Sequence, residues 1–174
     1  MNSLSSNNIS RRKALGGLAS LATISIVPSR VLGLNGQTAP SNQLTRAILG
    51  CGGISNSHLG MPGKILALCD VDSNRLKGQM AKVQGRGNKD VKGYHDFRDV
   101  IARDDVDIIH TCTPPHWHAH MAIAAAQAGK AIWGEKPMSR TIGEGMAMKK
   151  EIEKAGVAFR INTWFRFKSN FYGS

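Results

Sequence analysis

A short apolar run that ends in a glycine-rich turn restricts the fold of this chain more than any other feature. The run Leu44–Leu49 leads directly into Gly50-Cys-Gly-Gly-Ile-Ser55, and no helix-breaking residue follows until Gly60. This order predicts a strand, a tight turn and the start of a helix. It is the pattern with which a parallel sheet with helical crossovers begins.

Strand and helix patterns alternate along the rest of the chain. Further strands are predicted at Lys64–Cys69 and at residues 91–94, 106–112, 131–133 and 157–162. Helices are predicted at residues 72–83, 96–101, 119–128 and 141–156, with Asp, Thr or Gly at several of their ends. Such alternation with short loops predicts an α/β fold, a Rossmann-type doubly wound parallel sheet, which binds ligands at the carboxyl ends of its strands.

The glycine turn and an aspartate twenty residues later predict a dinucleotide site. Gly50 and Gly52 suit a tight turn beside a pyrophosphate, and Gly53 and Ile54 complete the loop. An ordinary glycine-rich loop is the alternative. Asp70 ends the second strand, where it can accept both adenosine ribose hydroxyls and repel a 2′-phosphate. We therefore expect NAD rather than NADP, although Arg75, in the next helix, weakens that preference.

The segment after the fourth strand adds candidates at the same edge of the sheet. Thr113 and Pro114 are expected to line the cofactor, and His118 to lie near the nicotinamide ribose, with a structural role as the alternative. Histidines 116, 118 and 120 cannot share one helical face, and no acidic residue lies between them. A metal site is therefore not predicted here.

A lysine follows the fifth strand of the predicted sheet. The strand Ala131–Trp133 is followed by Glu135-Lys136-Pro137. At the carboxyl end of a strand, Lys136 can take up a proton while hydride leaves a neighbouring carbon, so we predict that it is the catalytic residue. A surface lysine before a loop proline is the alternative.

The positive charge of the chain is concentrated partly at its start. The formal net charge is +11, and the first forty residues carry four basic residues and no acidic one. Beyond them acids and bases alternate, as on a solvated helix face, so nucleic-acid binding is not expected. The three cysteines fall at predicted strand ends, which favours buried thiols over disulfides or zinc.

The first 33 residues are typical of a twin-arginine export signal. Arg11-Arg12-Lys13 precedes a mildly apolar run to Val27 that is too weak for a stable membrane span. The alternative is a disordered basic start. We expect export of the folded protein to the periplasm or beyond the membrane with its cofactor inside, and an exposed linker at residues 34–43.

Together these motifs resemble the glucose-fructose oxidoreductase, inositol dehydrogenase and rhizopine catabolism protein (Gfo/Idh/MocA) family. The resemblance covers roughly residues 44–167 and rests on Gly50-x-Gly52-Gly53, Asp70, Thr113-Pro-x-x-x-His118 and Glu135-Lys136-Pro137. It implies a Rossmann domain over residues 44–165, then a mixed α/β domain, and hydride transfer at a sugar or cyclitol carbon. It further implies that Lys136 contacts the reacting hydroxyl and that Glu135 lines the cofactor site. A homo-oligomer is the implied assembly.

The end of the chain departs from the family pattern. After the sixth strand the sequence is Asn162-Thr-Trp-Phe-Arg-Phe167, which keeps one arginine of the usual pair, and the chain stops at Ser174. We interpret residues 166–174 as the start of a second domain and expect an N-terminal fragment, inactive alone. The aromatic side chains of this tail suggest burial by a segment that follows.

Two other functions remain open at this stage. Some exported relatives cleave glycosides with NAD by oxidation, elimination and re-reduction, and the leader suits them. A catalytically incomplete nucleotide-binding domain is the third possibility. The identity of the sugar is left open.

Overall fold

The computed structural model describes residues 42–163, and in that range six strands alternate with five helices. The strands are β1 (Thr45–Leu49), β2 (Lys64–Cys69), β3 (Lys92–Tyr94), β4 (Ile108–Thr111), β5 (Ala131–Glu135) and β6 (Phe159–Asn162). The helices are α1 (Ser55–His58), α2 (Ser73–Gly85), α3 (Phe97–Ile101), α4 (Pro115–Gln127) and α5 (Ile142–Ala155). The predicted leader (1–33), most of the linker and the segment 166–174 lie outside the described residues.

All six strands form one parallel sheet in the order β3-β2-β1-β4-β5-β6. The predicted doubly wound α/β fold is therefore confirmed. The chain moves outward in one direction from β1 to β3 and in the other from β4 to β6. The carboxyl ends of β1 and β4 are neighbours at this switch point, where sheets of this kind bind ligands.

Helices cover both faces of the sheet and form a core on each. On one face Ile48 packs in a cluster with Leu76 and Val83 of α2. On the other face Leu49 packs in a cluster that includes Ala122 of α4 and further residues of α3, α4 and α5. β2 has the nearly continuous apolar sequence of a strand buried on both faces, whereas β1 and β4 include buried polar residues, Arg46 and His110.

The helix starts follow the capping residues that the sequence predicted, with one exception. Asp72, Asp96 and Thr141 each accept a backbone N–H of the helix that follows. The prediction that α4 starts at Ala119 was wrong, because the helix begins at Pro115. Proline suits the first helical position, where its fixed φ matches the helix and its missing N–H is not needed.

The bounds of several strands also differ from the prediction, those of β4 and β5 among them. β5 continues to Glu135 rather than ending at Trp133, and β4 is shorter than predicted, running from Ile108 to Thr111. The longer β5 matters for the site, because it puts Glu135 inside the sheet and Lys136 directly at its edge.

All three cysteines are buried free thiols, as predicted. Burial raises the pKa of Cys51 and of Cys69 to about 12, and it also raises the pKa of Cys112. Among the described residues, no helix is both long and apolar enough to cross a membrane.

Candidate functional site

The glycine turn after β1 presents unpaired backbone donors beside open space. Gly50 has φ +94°, and a Cβ there would lie 2.6 Å from the carbonyl oxygen of Cys112, so only glycine lets β1 and β4 end so close together. A Cβ on Gly52 or Gly53 would meet no atom within 4 Å. Within residues 42–163, the N–H groups of Gly52, Gly53 and Ile54 bond no protein acceptor. Successive free N–H groups of this kind form an anion-binding concavity.

Asp70 closes this loop from the end of the neighbouring strand. Its carboxylate accepts the backbone N–H of Cys51 at 2.7 Å and that of Asp72 at 2.9 Å. A carboxylate has about four acceptor sites, so two remain for a ligand. Arg75 pairs with Asp72, with 3.6 Å between Nε and Oδ2, rather than with Asp70.

These residues fit the dinucleotide that the sequence predicted. The open glycine backbone supplies free donors for a pyrophosphate, and the half-buried Asp70 supplies free acceptors for ribose hydroxyls. The two features lie after β1 and β2, which are paired strands. The individual cofactor contacts remain predictions.

Lys136 lies at the same edge of the sheet, directly after β5. Its side chain is exposed, and its Nζ bonds no residue of the part of the chain that the structure describes. The peptide bond between Lys136 and Pro137 is cis. Thr113 and Pro114 follow the adjacent strand β4; Thr113 is half-buried and Pro114 is exposed. The fold therefore brings the predicted cofactor and catalytic residues to one edge.

His118 joins the loops that follow β4 and β5. The ring is buried, with Nδ1 2.7 Å from the carbonyl oxygen of Pro137 and Nε2 2.8 Å from that of Thr113. Both ring nitrogens therefore face protein carbonyls. This geometry matches the structural alternative for His118, while its contact with the nicotinamide ribose stays a prediction.

The sequence analysis missed a cluster of polar side chains next to the site, formed by the buried His58, His110 and Glu135 and the half-buried Asn162. Glu135 is buried and bonds His58 and Asn162, and the His58 ring in turn contacts that of His110, with 2.9 Å between the two Nδ1 atoms. Burial, with the neighbouring His58 and Arg46, lowers the pKa of His110 to about 3. The one sequence signal was a histidine inside the apolar strand β4, since a buried polar residue needs a partner.

Arg46 forms hydrogen bonds with the end of α1 and the segment between α1 and β2. The side chain is buried, and its guanidinium donates to the carbonyl oxygens of His58, Leu59, Met61 and Gly63. Burial lowers the pKa of this arginine. The four carbonyls belong to the end of α1 and the turn after it, where helix acceptors lack helical partners. Arg46 therefore fixes the end of α1.

Comparison with known proteins agrees with this geometry. Residues 44–163 match the Gfo/Idh/MocA model, described as "Oxidoreductase family, NAD-binding Rossmann fold". The chain is 30% identical to D-apiose dehydrogenase of Paraburkholderia graminis, over 78% of this chain and 36% of that protein. It is 32% identical to a glycosyl hydrolase family 109 protein of Solibacter usitatus, over 76% of this chain and 34% of that protein.

A solved structure shares the fold at similar coverage. The WlbA dehydrogenase from Bordetella pertussis, in complex with NADH and UDP-GlcNAcA, superposes with a TM-score of 0.68 and 25% identity, covering 75% of this chain and 38% of that one. The chain thus spans about a third of the length of the curated relatives it matches. It belongs to the Gfo/Idh/MocA oxidoreductase family, and residues 44–163 form that family's NAD-binding Rossmann domain.

Proposed function

We propose that this chain provides the NAD-binding domain of an oxidoreductase that transfers hydride at a hydroxyl-bearing carbon of a sugar or cyclitol. The observation that carries the proposal is the convergence of the open glycine turn, Asp70 and the exposed Lys136 on one edge of the sheet. The names of relatives, D-apiose dehydrogenase among them, support a sugar as the substrate class.

Each residue then has a distinct task. The free N–H groups of Gly52, Gly53 and Ile54 bind the pyrophosphate, and Asp70 binds the adenosine ribose. When bound, NAD supplies the hydride acceptor of the reaction. Lys136 takes the proton of the substrate hydroxyl at Nζ, and its lack of an ion-pair partner among the described residues leaves that atom free for this contact.

The first test is a thermal-shift titration of the full chain with NAD and NADP. NAD at about one hundred times its Kd is expected to raise the free energy of unfolding by about 2.7 kcal/mol. NADP at equal concentration should produce a smaller shift, because the Asp70 carboxylate repels a 2′-phosphate. Asp70→Asn should narrow the difference between the two shifts, each measured against the variant's own ligand-free Tm.

Arg75→Gln is the matched control. Arg75 lies in the first turn of α2, five residues after Asp70, and it pairs with Asp72 rather than with Asp70. This substitution should leave the NAD preference in place. Equal shifts with NAD and NADP in the natural sequence would contradict the assignment of Asp70, and no shift with either in folded, nucleotide-free protein would contradict the proposed function.

A second candidate is glycoside cleavage through bound NAD. The specific observation is the similarity to proteins named glycosyl hydrolase family 109, including that of Solibacter usitatus. The same site serves both reactions, since both begin with oxidation of a sugar hydroxyl. Accumulation of NADH in step with substrate loss supports the dehydrogenase, whereas release of the aglycone with NAD unchanged supports the hydrolase.

We propose further that residues 1–33 direct export by the twin-arginine route. The adjacent Arg11 and Arg12, before an apolar run without acidic residues, support this. Replacing both arginines with lysine should retain the protein in the cytoplasm, as measured by fractionation of cells. Arg30→Lys is the control and should not change the distribution. Unimpaired export of the double variant would contradict the proposal.

A further inference from the structure

Glu135, the last residue of β5, accepts three donors although it is buried. It is 3% exposed, and His58 Nε2 lies 2.7 Å from its Oε1. The side-chain amide of Asn162 bonds the same oxygen, and the backbone N–H of Lys136 lies 3.3 Å from Oε2. In residues 42–163, no lysine or arginine pairs with this carboxylate. An ionised carboxylate is an acceptor only, so three converging donors suit it.

The hydrogen bonds of His58 fit a neutral ring that carries its proton on Nε2. The Nε2 atom faces the Glu135 carboxylate and must donate to it. The Nδ1 atom faces Nδ1 of His110, a ring that burial keeps neutral by lowering its pKa. A neutral His110 protonated at Nδ1 donates to His58. The chain of hydrogen bonds is then complete from β4, through α1, to the turn after β5.

The position of His58 links this chain of bonds to the nucleotide loop. His58 is the last residue of α1, which starts directly after the glycine turn, and it is 0% exposed. Its carbonyl oxygen accepts from Arg46 at 2.6 Å, so its backbone is held as well as its ring. Because both its backbone and its ring are held, His58 can fix the glycine turn and the turn after β5 relative to each other.

We propose that His58 is a positioning residue that, through Glu135, holds the backbone of Lys136 in place at the site. The role of Lys136 in turnover rests on the proposed function. The structural part of the proposal is that the His58 Nε2 donor maintains the hydrogen bond from the Lys136 N–H to the Glu135 carboxylate. This part does not depend on catalysis. It can be measured in the chain without nucleotide.

Two substitutions distinguish the role of His58 Nε2 from that of His58 Nδ1. In His58→Gln the side-chain amide nitrogen can replace the Nε2 donor to Glu135, whereas in His58→Asn it can reach only the position of Nδ1. The measurement is hydrogen exchange of the Lys136 amide by NMR in the full chain. His58→Asn should raise the exchange rate by about tenfold or more, and His58→Gln should stay within about threefold of the natural sequence.

A control and a second variant make the result decisive. Val106→Ala creates a cavity just before β4, at the opposite edge of the sheet, and tests whether lower stability alone exposes the Lys136 amide. Glu135→Gln replaces two carboxylate oxygens by a single amide oxygen, which is too few acceptors for the three donors. This variant should therefore also raise the exchange rate of the Lys136 amide. It replaces His58→Asn if that variant does not fold.

The outcomes divide clearly. Protection of the Lys136 amide that is lost in His58→Asn and Glu135→Gln but kept in His58→Gln and Val106→Ala supports the proposal. Unchanged protection in His58→Asn or Glu135→Gln overturns it, and so does equal loss in His58→Gln.

Turnover adds a separate measurement in the whole protein. His58→Asn should lower kcat while the Kd for NAD stays within about twofold, and His58→Gln should restore kcat. Unchanged kcat in His58→Asn would overturn the link to catalysis. A natural sequence that turns over no sugar or cyclitol would instead contradict the proposed function, and the exchange result would still decide the positioning role.

Discussion

Replacing Lys136 with methionine is expected to lower kcat of the whole protein by about 10²–10⁴-fold, the range that a positioned general acid or base contributes. Lys136 is exposed and bonds no residue of the described part of the chain, so the variant should fold normally. Its free energy of unfolding should change by no more than about 0.5 kcal/mol. NAD binding should persist, because the glycine turn and Asp70 are untouched. NADH formation gives kcat, and a thermal-shift titration gives the affinity for NAD.

Lys136→Arg separates charge from proton transfer. Arginine keeps the positive charge but does not lose a proton in proteins, so this variant should be nearly as slow as Lys136→Met. Lys89→Met, at another exposed lysine, controls for the loss of one surface charge and should keep full kcat. Near-normal turnover in both Lys136 variants would show that the proton passes through another group.

Gly50→Ala is expected to have the largest effect on stability. A Cβ at this residue would lie 2.6 Å from the carbonyl oxygen and 2.7 Å from the carbonyl carbon of Cys112, and both atoms are backbone. The conformation at φ +94° costs a residue with a Cβ about 1–2 kcal/mol, and the overlap adds about 1–3 kcal/mol. We expect a loss of about 3 kcal/mol or more in the free energy of unfolding, measured with urea. Protein that still folds should bind NAD more weakly.

Gly87→Ala is a matched control for backbone strain. Gly87 has φ +95°, nearly the angle of Gly50, but a Cβ there would meet no atom within 4 Å. Its substitution should cost only the conformational part, about 1–2 kcal/mol, and should leave NAD binding unchanged. Equal losses in the two variants would mean that β1 and β4 do not need their close approach at Gly50.

The sequence was informative wherever one segment determined its own structure. Caps at Asp72, Asp96 and Thr141 depend on residues two or three positions apart, and all three form at the predicted helix starts. The start of α4 was placed four residues too late, at Ala119, because the helix begins at the second of two prolines, Pro114 and Pro115. Proline stops a strand and starts a helix equally well, so local sequence alone did not distinguish the two.

Some residues of the candidate site could likewise be found from local sequence, whereas the contacts of others could not. The glycine turn, Asp70 and Lys136 could be found because each lies at the end of a predicted strand, and parallel strands bring their carboxyl ends to one edge. Glu135 was expected to line the cofactor site as the family resemblance implied, and its carboxylate in fact bonds buried protein donors. Its direct contact with the cofactor remains a prediction.

The sequence by itself determined the alternation of strands and helices, and with it the family and the edge that carries the site. These follow from local periodicity, capping and turn residues, which act over a few positions. Only the tertiary structure decided how His58, His110 and Glu135 meet, because they are 52 and 77 residues apart in the chain and are joined by the packing of α1 on the sheet. Partners of buried polar groups are chosen by that packing, which no short pattern records.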